Sequence, residues 1–332
     1  MKKKNIFAIL VTIVFLVLIF YKIDIHNLIQ TFKIFNYKNL LIIILLYIFG
    51  MYLRGFRFKA VLLDNKKYSV LELSENFIVG SFLNIFLPAR GGDIYRAYKL
   101  GSDKDDRKMK ILGSILVERT FDGICVFCIL LFAVLMYCKQ QWIINLTYTV
   151  GFLFFGCLTV FWLIFKFNKL DCICDKLINI SENLPKRING FIVKIIKTVN
   201  EQLNAFIEGF KVLNSVKYTL KALIWTAVPW GFECYIAYLI INSFDLHLGF
   251  AAALFVISLI SFSTMIPSAS VFIGPYQYAY ILALGIFGID KSSTLAVSTI
   301  HQSILLISQG LMFVFIMIKN NLKTICKKTQ NS

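Results

Sequence analysis

Arg90, Asp93 and Arg96 are spaced by three, and a second run, Glu118, Arg119 and Asp122, follows shortly after. If the first stretch is helical, that spacing puts its three charges roughly along one side. Arginine forks match phosphate oxygens bidentately, which lysine cannot do. Arg90, Arg96 and Arg119 are therefore expected to hold a phosphate, with Glu118 and Asp122 orienting the guanidiniums and competing for them once the anion leaves. The same carboxylates could instead neutralise the arginines and pin the fold. Asn84, Glu72 and Glu75 stand around the first run, and Glu233, His301, Gln302 and Gln309 lie within apolar runs of the second half. His301 fits an interhelical donor or a proton relay. Glu233, one turn after Pro229, fits a structural or a transport role.

The elements that must position these groups belong to a membrane. Of 332 residues, 58% are hydrophobic and 16% charged, and the mean hydropathy is +0.73, which excludes both a soluble enzyme and a disordered chain. The net charge of +17 would suggest nucleic acid in a soluble protein. Here the basic residues sit between apolar runs and report topology instead, so no nucleic-acid partner is expected. Eight cysteines fall mostly within spans or on the expected cytoplasmic side, arguing against a disulfide framework. Cys125 and Cys128 form a lone CxxC without a second ligand pair and read as packing; no metal site is expected.

The chain reads as an all-α polytopic membrane protein, one membrane domain over 1–332. Six full spans are expected at 6–21, 40–53, 116–137, 143–165, 222–241 and 292–318, with both termini cytoplasmic by the positive-inside rule. Arg54, Arg57, Lys59, Lys66 and Lys67 read as the cytoplasmic end of the second span. The stretch 77–88 is too short to cross and has basic clusters on both sides, so it reads as re-entrant from the inside, although a helix lying on the inner surface also fits. Residues 24–38 form a short outer amphipathic segment. Residues 166–221 form a cytoplasmic insert in which Phe191, Ile195, Val199, Leu203, Phe206 and Phe210 recur at three and four, an amphipathic helix following Pro185 that suits the inner membrane surface or the underside of the bundle.

Residues 248–288 form two apolar arms around Pro267-Ser268-Ala-Ser270 and Gly274-Pro275, a second hairpin, entering from the outside; two full spans remain the alternative. Paired broken elements of opposite entry are the pointer to an inverted-repeat transporter with a site where they meet. Non-helical backbone at membrane depth survives only inside protein or beside water, so the breaks imply a cavity. Pro267, Ser268, Gly274, Tyr276 and Gln277, with Glu233 and His301, are expected to form the opposing gate.

The run Asn84-Ile-Phe-Leu-Pro88-Ala-Arg90-Gly91-Gly92-Asp93-Ile-Tyr-Arg96, followed by Val117-Glu118-Arg119-Thr-Phe-Asp122, resembles the flippase-like transmembrane domain of lysylphosphatidylglycerol synthases and their stand-alone relatives. Arg54-Gly-Phe-Arg57 and the 267–277 hairpin resemble further parts of that family, so the resemblance covers nearly the whole chain. Two departures stand out: Gln277 occupies a position where the family tends to carry Glu, and His301-Gln302 stands where an arginine is common. The resemblance implies movement of an aminoacylated or other anionic phospholipid, or of a polyprenyl-phosphate-linked headgroup, across a bacterial plasma membrane. In bifunctional members a separate soluble domain makes the lipid; with the sequence ending at Ser332, lysyl transfer is not expected.

The reading that follows is a lipid translocase with a membrane lipid as substrate and no cofactor or catalytic residue. It lacks a P-loop, which leaves a gradient, the potential or no coupling as the energy source. The alternatives are a membrane enzyme or enzyme subunit for lipid modification, resembling a phosphatidylglycerol lysyltransferase, and a docking partner that holds a cytoplasmic synthase through 166–221.

Overall fold

Serine and glutamate open the helix that carries much of the site. Ser69 accepts from the Glu72 amide at 3.2 Å and the Glu72 carboxylate accepts from the Ser69 amide at 2.9 Å, a reciprocal cap that starts a helix seven residues before the apolar run at Phe77. That helix stops at Phe86, where Leu87 turns extended immediately before Pro88, whose ring disfavours helical backbone in the residue preceding it.

The computed structural model describes residues 25–63, 67–87, 90–104, 106–137, 140–166, 186–264 and 272–330, and all its regular structure is helical. In chain order the helices are α1 (Ile25–Ile34), α2 (Leu40–Leu62), α3 (Val70–Phe86), α4 (Gly91–Asp103), α5 (Lys108–Tyr137), α6 (Gln141–Lys166), α7 (Lys186–Glu208), α8 (Val216–Asn242), α9 (Phe250–Ser263), α10 (Pro275–Gly285) and α11 (Lys291–Gln330). Helices over Tyr37–Leu62, Lys108–Tyr137, Val216–Asn242 and Lys291–Leu322 are long and apolar enough to cross a membrane. These match four of the six expected spans. The run 6–21 lies outside the described residues, and the run 143–165 falls within α6.

Both expected breaks appear as pairs of short packed helices. The chain turns between α3 and α4, with Arg90 left-handed at φ 53°, and between α9 and α10, where Gly274 at φ 101° precedes Pro275 in the first turn. The Gly274 amide donates to Gln277 Oε1 at 2.9 Å. The direction from which either pair enters is a property of the membrane, and Pro267, Ser268 and Ser270 lie outside the described residues.

Two elements differ from the expected bounds. Helix α2 runs nine residues past Leu53, so Arg54 and Arg57 lie inside it, 7% and 0% exposed, rather than ending a span in water. Carboxylates from other helices neutralise them, which removes the penalty that made a cytoplasmic position look necessary. Helix α8 begins at Val216, ahead of the insert's expected end at Lys221, because Lys217 and Lys221 point to the exposed side and do not interrupt the helix. Within the expected insert, α7 packs on α5 near Ala205, and Ser114 Oγ donates to the Gly209 carbonyl at 3.3 Å; Ile195 and Val199, from the repeating apolar set, stay about half exposed at 46% and 49%. Pro185 lies outside the described residues.

The larger apolar core joins α2, α3 and α5 to α8, α9, α10 and α11, while a smaller one gathers Phe58, Leu73, Ala97 and Ile115 at the other end of α2, α3, α4 and α5. Outside these cores, Leu41, Leu45, Phe152, Ile224, Leu311 and Phe315 stay more than half exposed, as a lipid-facing surface requires.

Helices α3 and α4 touch backbone to backbone. A Cβ on Gly92 would sit 1.9 Å from the Gly80 carbonyl oxygen, and one on Gly80 would sit 2.3 Å from the Arg96 side chain. Gly92→Ala is expected to force this pair apart at a cost of about 1–3 kcal/mol. A lowered melting midpoint and a reduced monodisperse yield in detergent check this; an unchanged midpoint would show that the two helices separate without loss.

Candidate functional site

The short α3–α4 connection, with α3 and α4 packed against α2 and α5, brings the charged runs together. Asp93 and Arg96 come from α4, Glu118, Arg119 and Asp122 from α5, and Arg57 from α2. Arg119 grips Asp93 with two bonds, Nη2 to Oδ1 at 2.8 Å and Nε to Oδ2 at 3.1 Å. Asp93 Oδ1 lies 3.5 Å from Arg96 Nη1, and Arg96 Nη2 donates to Glu118 Oε2 at 2.8 Å. The other Glu118 oxygen accepts from Arg57, which also donates to Asp122. Asp122 Oδ2 accepts from Arg119 Nη1 at 3.3 Å. The chain of contacts therefore closes on itself: three guanidiniums and three carboxylates alternate in a neutral ring.

Phe77 on α3 lies beneath this ring. Its centroid is 4.8 Å from the Arg96 guanidinium carbon, 5.8 Å from that of Arg57 and 5.9 Å from that of Arg119. The electron-rich face of an aromatic ring favours such cations, most strongly where water is excluded. A fourth guanidinium, Arg54, lies 5.2 Å from the same centroid and 5.5 Å from that of Trp230, and pairs with Glu233 at 3.2 Å. Trp230 in turn donates to Asp122 at 2.9 Å. Asn76 and Asn84 complete the surroundings: Arg96 Nε reaches Asn76 Oδ1 at 3.4 Å, and Asn84 Nδ2 donates to Asp93 at 3.2 Å.

The arginines are not equally available. Arg96 is wholly enclosed and Arg119 keeps 22% of its side chain accessible, while Arg90 is exposed at the mouth of the α3–α4 turn and takes no part in the ring. Of the expected first-half residues, the structure brings Asn84, Asp93, Arg96, Glu118, Arg119 and Asp122 together and leaves Arg90 outside the ring. Sequence reasoning missed Arg57, Phe77 and Trp230. Arg57 was visible as part of a basic run and of the Arg54-Gly-Phe-Arg57 resemblance, neither of which says what it meets, and an aromatic inside an apolar run carries no signal of four cations around it.

The second-half residues form a separate buried set. His301 is fully buried and its Nδ1 shares a hydrogen bond with Tyr280; the Tyr276 ring lies 5.6 Å from Tyr280 and 6.3 Å from His301. Gln277 Nε2 donates to Gln302 Oε1 at 2.5 Å, so this side chain both caps α10 and ties it to α11. Gln309 joins the two halves, donating to Ser81 on α3 at 2.6 Å and accepting from Tyr47 on α2 at 3.5 Å. Further along α11, Lys319 pairs with Glu75 of α3. Among the expected gate residues, Glu233 lies beside the charged ring, while Gly274, Tyr276, Gln277 and His301 sit between α10 and α11.

Comparison with known proteins places this architecture. The family described as lysylphosphatidylglycerol synthase TM region matches residues 5–312. The UPF0104 membrane protein MJ1078 of Methanocaldococcus jannaschii is 26% identical over 228 residues, which covers 67% of this chain and 87% of that protein. No solved structure matches significantly. With a family match over nearly its whole length and four apolar helices of membrane-crossing size, the chain is a multi-pass membrane protein and belongs to the lysylphosphatidylglycerol synthase TM region family.

Proposed function

We propose that the protein is a lipid translocase that admits a phosphate-bearing headgroup at the turn between α3 and α4 while the tails stay in the bilayer. The carrying observation is the unequal engagement of the arginines: the ring is neutral as built, Arg90 stands exposed beside it, and Arg119 is its partly accessible member. Arg90 and Arg119 are the groups that meet the phosphate, and the α4 N-terminus adds amides of favourable polarity. Arg96, enclosed between Asp93 and Glu118, positions α4 rather than touching the lipid. The headgroup is that of an anionic or aminoacylated phospholipid or a polyprenyl-phosphate conjugate. The second broken pair, α9 and α10 with Tyr276, Gln277 and His301, and with Pro267 and Ser268 in the connecting stretch, forms the opposing gate in an inverted-repeat arrangement. We place the protein in a bacterial plasma membrane with both termini and the α3–α4 turn on the cytoplasmic side, following the basic segments.

A liposome assay with tail-labelled phosphatidylglycerol tests this. Arg90→Ala is expected to slow translocation roughly tenfold, the worth of one charge-assisted contact of about 1.5 kcal/mol, with no change in melting midpoint. Unchanged rates in both Arg90→Ala and Arg119→Lys would sink the reading.

A second reading has one observation in its favour. A cavity of about 520 Å³ opens between Asp106, Arg107 and Lys108, at the start of α5, and Glu201, Gln202, Asn204 and Ala205 of α7, the helix that carries the half-exposed apolar face. That surface suits a membrane subunit that docks a cytoplasmic lipid-modifying synthase. Loss of cellular function on deleting 186–208, with liposome translocation intact, would favour it.

A further inference from the structure

The Arg54–Glu233 pair is built differently from the ring beside it. Asp122 accepts from Arg57, Arg119 and Trp230, and Asp93 from Arg119 twice and from Asn84. Glu233 accepts one bond, from Arg54 Nη2 at 3.2 Å, and among the described residues that is also the one hydrogen bond Arg54 makes. The Arg54 side chain is only 9% accessible, and among the described residues its Nε, like Arg57 Nε and Arg96 Nη1, is buried without a hydrogen-bond partner. A guanidinium has five donors in a rigid fork. The Phe77 and Trp230 ring centroids lie 5.2 and 5.5 Å from this guanidinium carbon, and Glu233 leaves most of its donors unused.

The carboxylate is the looser member. Glu233 keeps 17% of its side chain accessible, against 0%, 10% and 11% for Glu118, Asp93 and Asp122. A phosphate presents two or three oxygens and matches the arginine fork bidentately, which the single contact to Glu233 does not do. Moreover, Arg54 is tied to the ring through Phe77 and Trp230, so a phosphate bound there lies one aromatic ring away from Arg119.

We infer that Arg54 is a second, deeper oxyanion subsite, with Glu233 as a resident counter-carboxylate that an arriving phosphate displaces. The inference rests on the translocation reading for its role in transport, but the binding chemistry stands by itself. The phosphate can arrive on a lipid or free in solution.

The test uses the full chain in nanodiscs of phosphate-free galactolipid, with tail-labelled phosphatidylglycerol and inorganic phosphate as separate probes. Arg54→Gln combined with Glu233→Gln removes both charges and so preserves neutrality; its melting midpoint reports whether the fold is kept. Glu233→Gln alone should bind the labelled lipid several-fold more tightly than wild type, because the competitor is gone. The double variant should bind it about tenfold more weakly and translocate it correspondingly slowly, at an unchanged midpoint. Inorganic phosphate displacing the label from wild type but not from the double variant would assign the subsite to a soluble oxyanion as well; no displacement, with lipid binding still dependent on Arg54, would assign it to the lipid-borne group. Wild-type binding by the double variant, or no gain in Glu233→Gln, overturns the subsite. If the double variant binds like wild type while Arg90→Ala slows transport, only the subsite is lost; if wild type binds through Arg54 yet moves no lipid in liposomes, only the translocation reading is lost.

Discussion

Glu118→Gln is expected to destabilise the protein by about 3–5 kcal/mol, the cost of leaving a buried ion-pair network one charge short. Glu118 is fully enclosed and its two oxygens serve different arginines, Arg57 and Arg96, which are also fully buried. No other carboxylate can take over, since Asp93 and Asp122 are each already shared between two guanidiniums. The ring would hold three cations against two anions, with the unpaired charge on the wholly enclosed Arg57 and Arg96. Thermal unfolding in detergent measures the loss. Combining Glu118→Gln with Arg57→Met restores neutrality and should recover part of it, because replacing a buried pair by neutral groups costs far less than breaking it. A midpoint for the single variant within error of wild type would mean that water reaches the ring.

Phe77→Ala should be comparably severe, about 3–5 kcal/mol, from the cavity left by a 2% exposed phenyl ring and from the loss of its contacts with the four guanidiniums. Phe77→Leu separates the two contributions. Leucine keeps much of the apolar volume but has no aromatic face, so what it still loses is chiefly the attraction to the cations. About 1–2 kcal/mol of residual loss is expected, read from the same unfolding measurement. A Leu variant as stable as wild type would show that the phenyl ring is mere filling and that the carboxylates alone hold the arginines.

These two effects come from different parts of the chain's information. Glu118 was recognisable as a site residue because it stands in a compact charged run within an otherwise apolar context, and a charge there needs a partner. Phe77 was not, because one phenylalanine among 32 carries no mark of its neighbours. The arginine that meets Glu118 and Asp122 lies 61 and 65 residues away along the chain, at Arg57. Its basic neighbours made it look like a topology marker, and the rule that basic residues gather on one side of a membrane says nothing about which of them turn inward. The second-half residues were legible as polar groups in apolar helices, yet their use was not: Gln277 spends both ends of its amide on the α10 cap and on Gln302.

By itself the sequence determined that this is a helical membrane protein, with a helix ending at Phe86 and another starting at Pro275 after Gly274, and to which family it belongs. Those properties follow from composition, from backbone constraints acting within a few residues, and from motifs that remain contiguous. Only the tertiary structure decided that the charges close into a neutral ring over one aromatic side chain, that Arg90 is left outside it, and that Arg54 meets Glu233. Such pairing depends on where α2, α3, α4, α5 and α8 cross, and helix crossings are set by backbone contacts such as Gly80 on Gly92 rather than by local spacing.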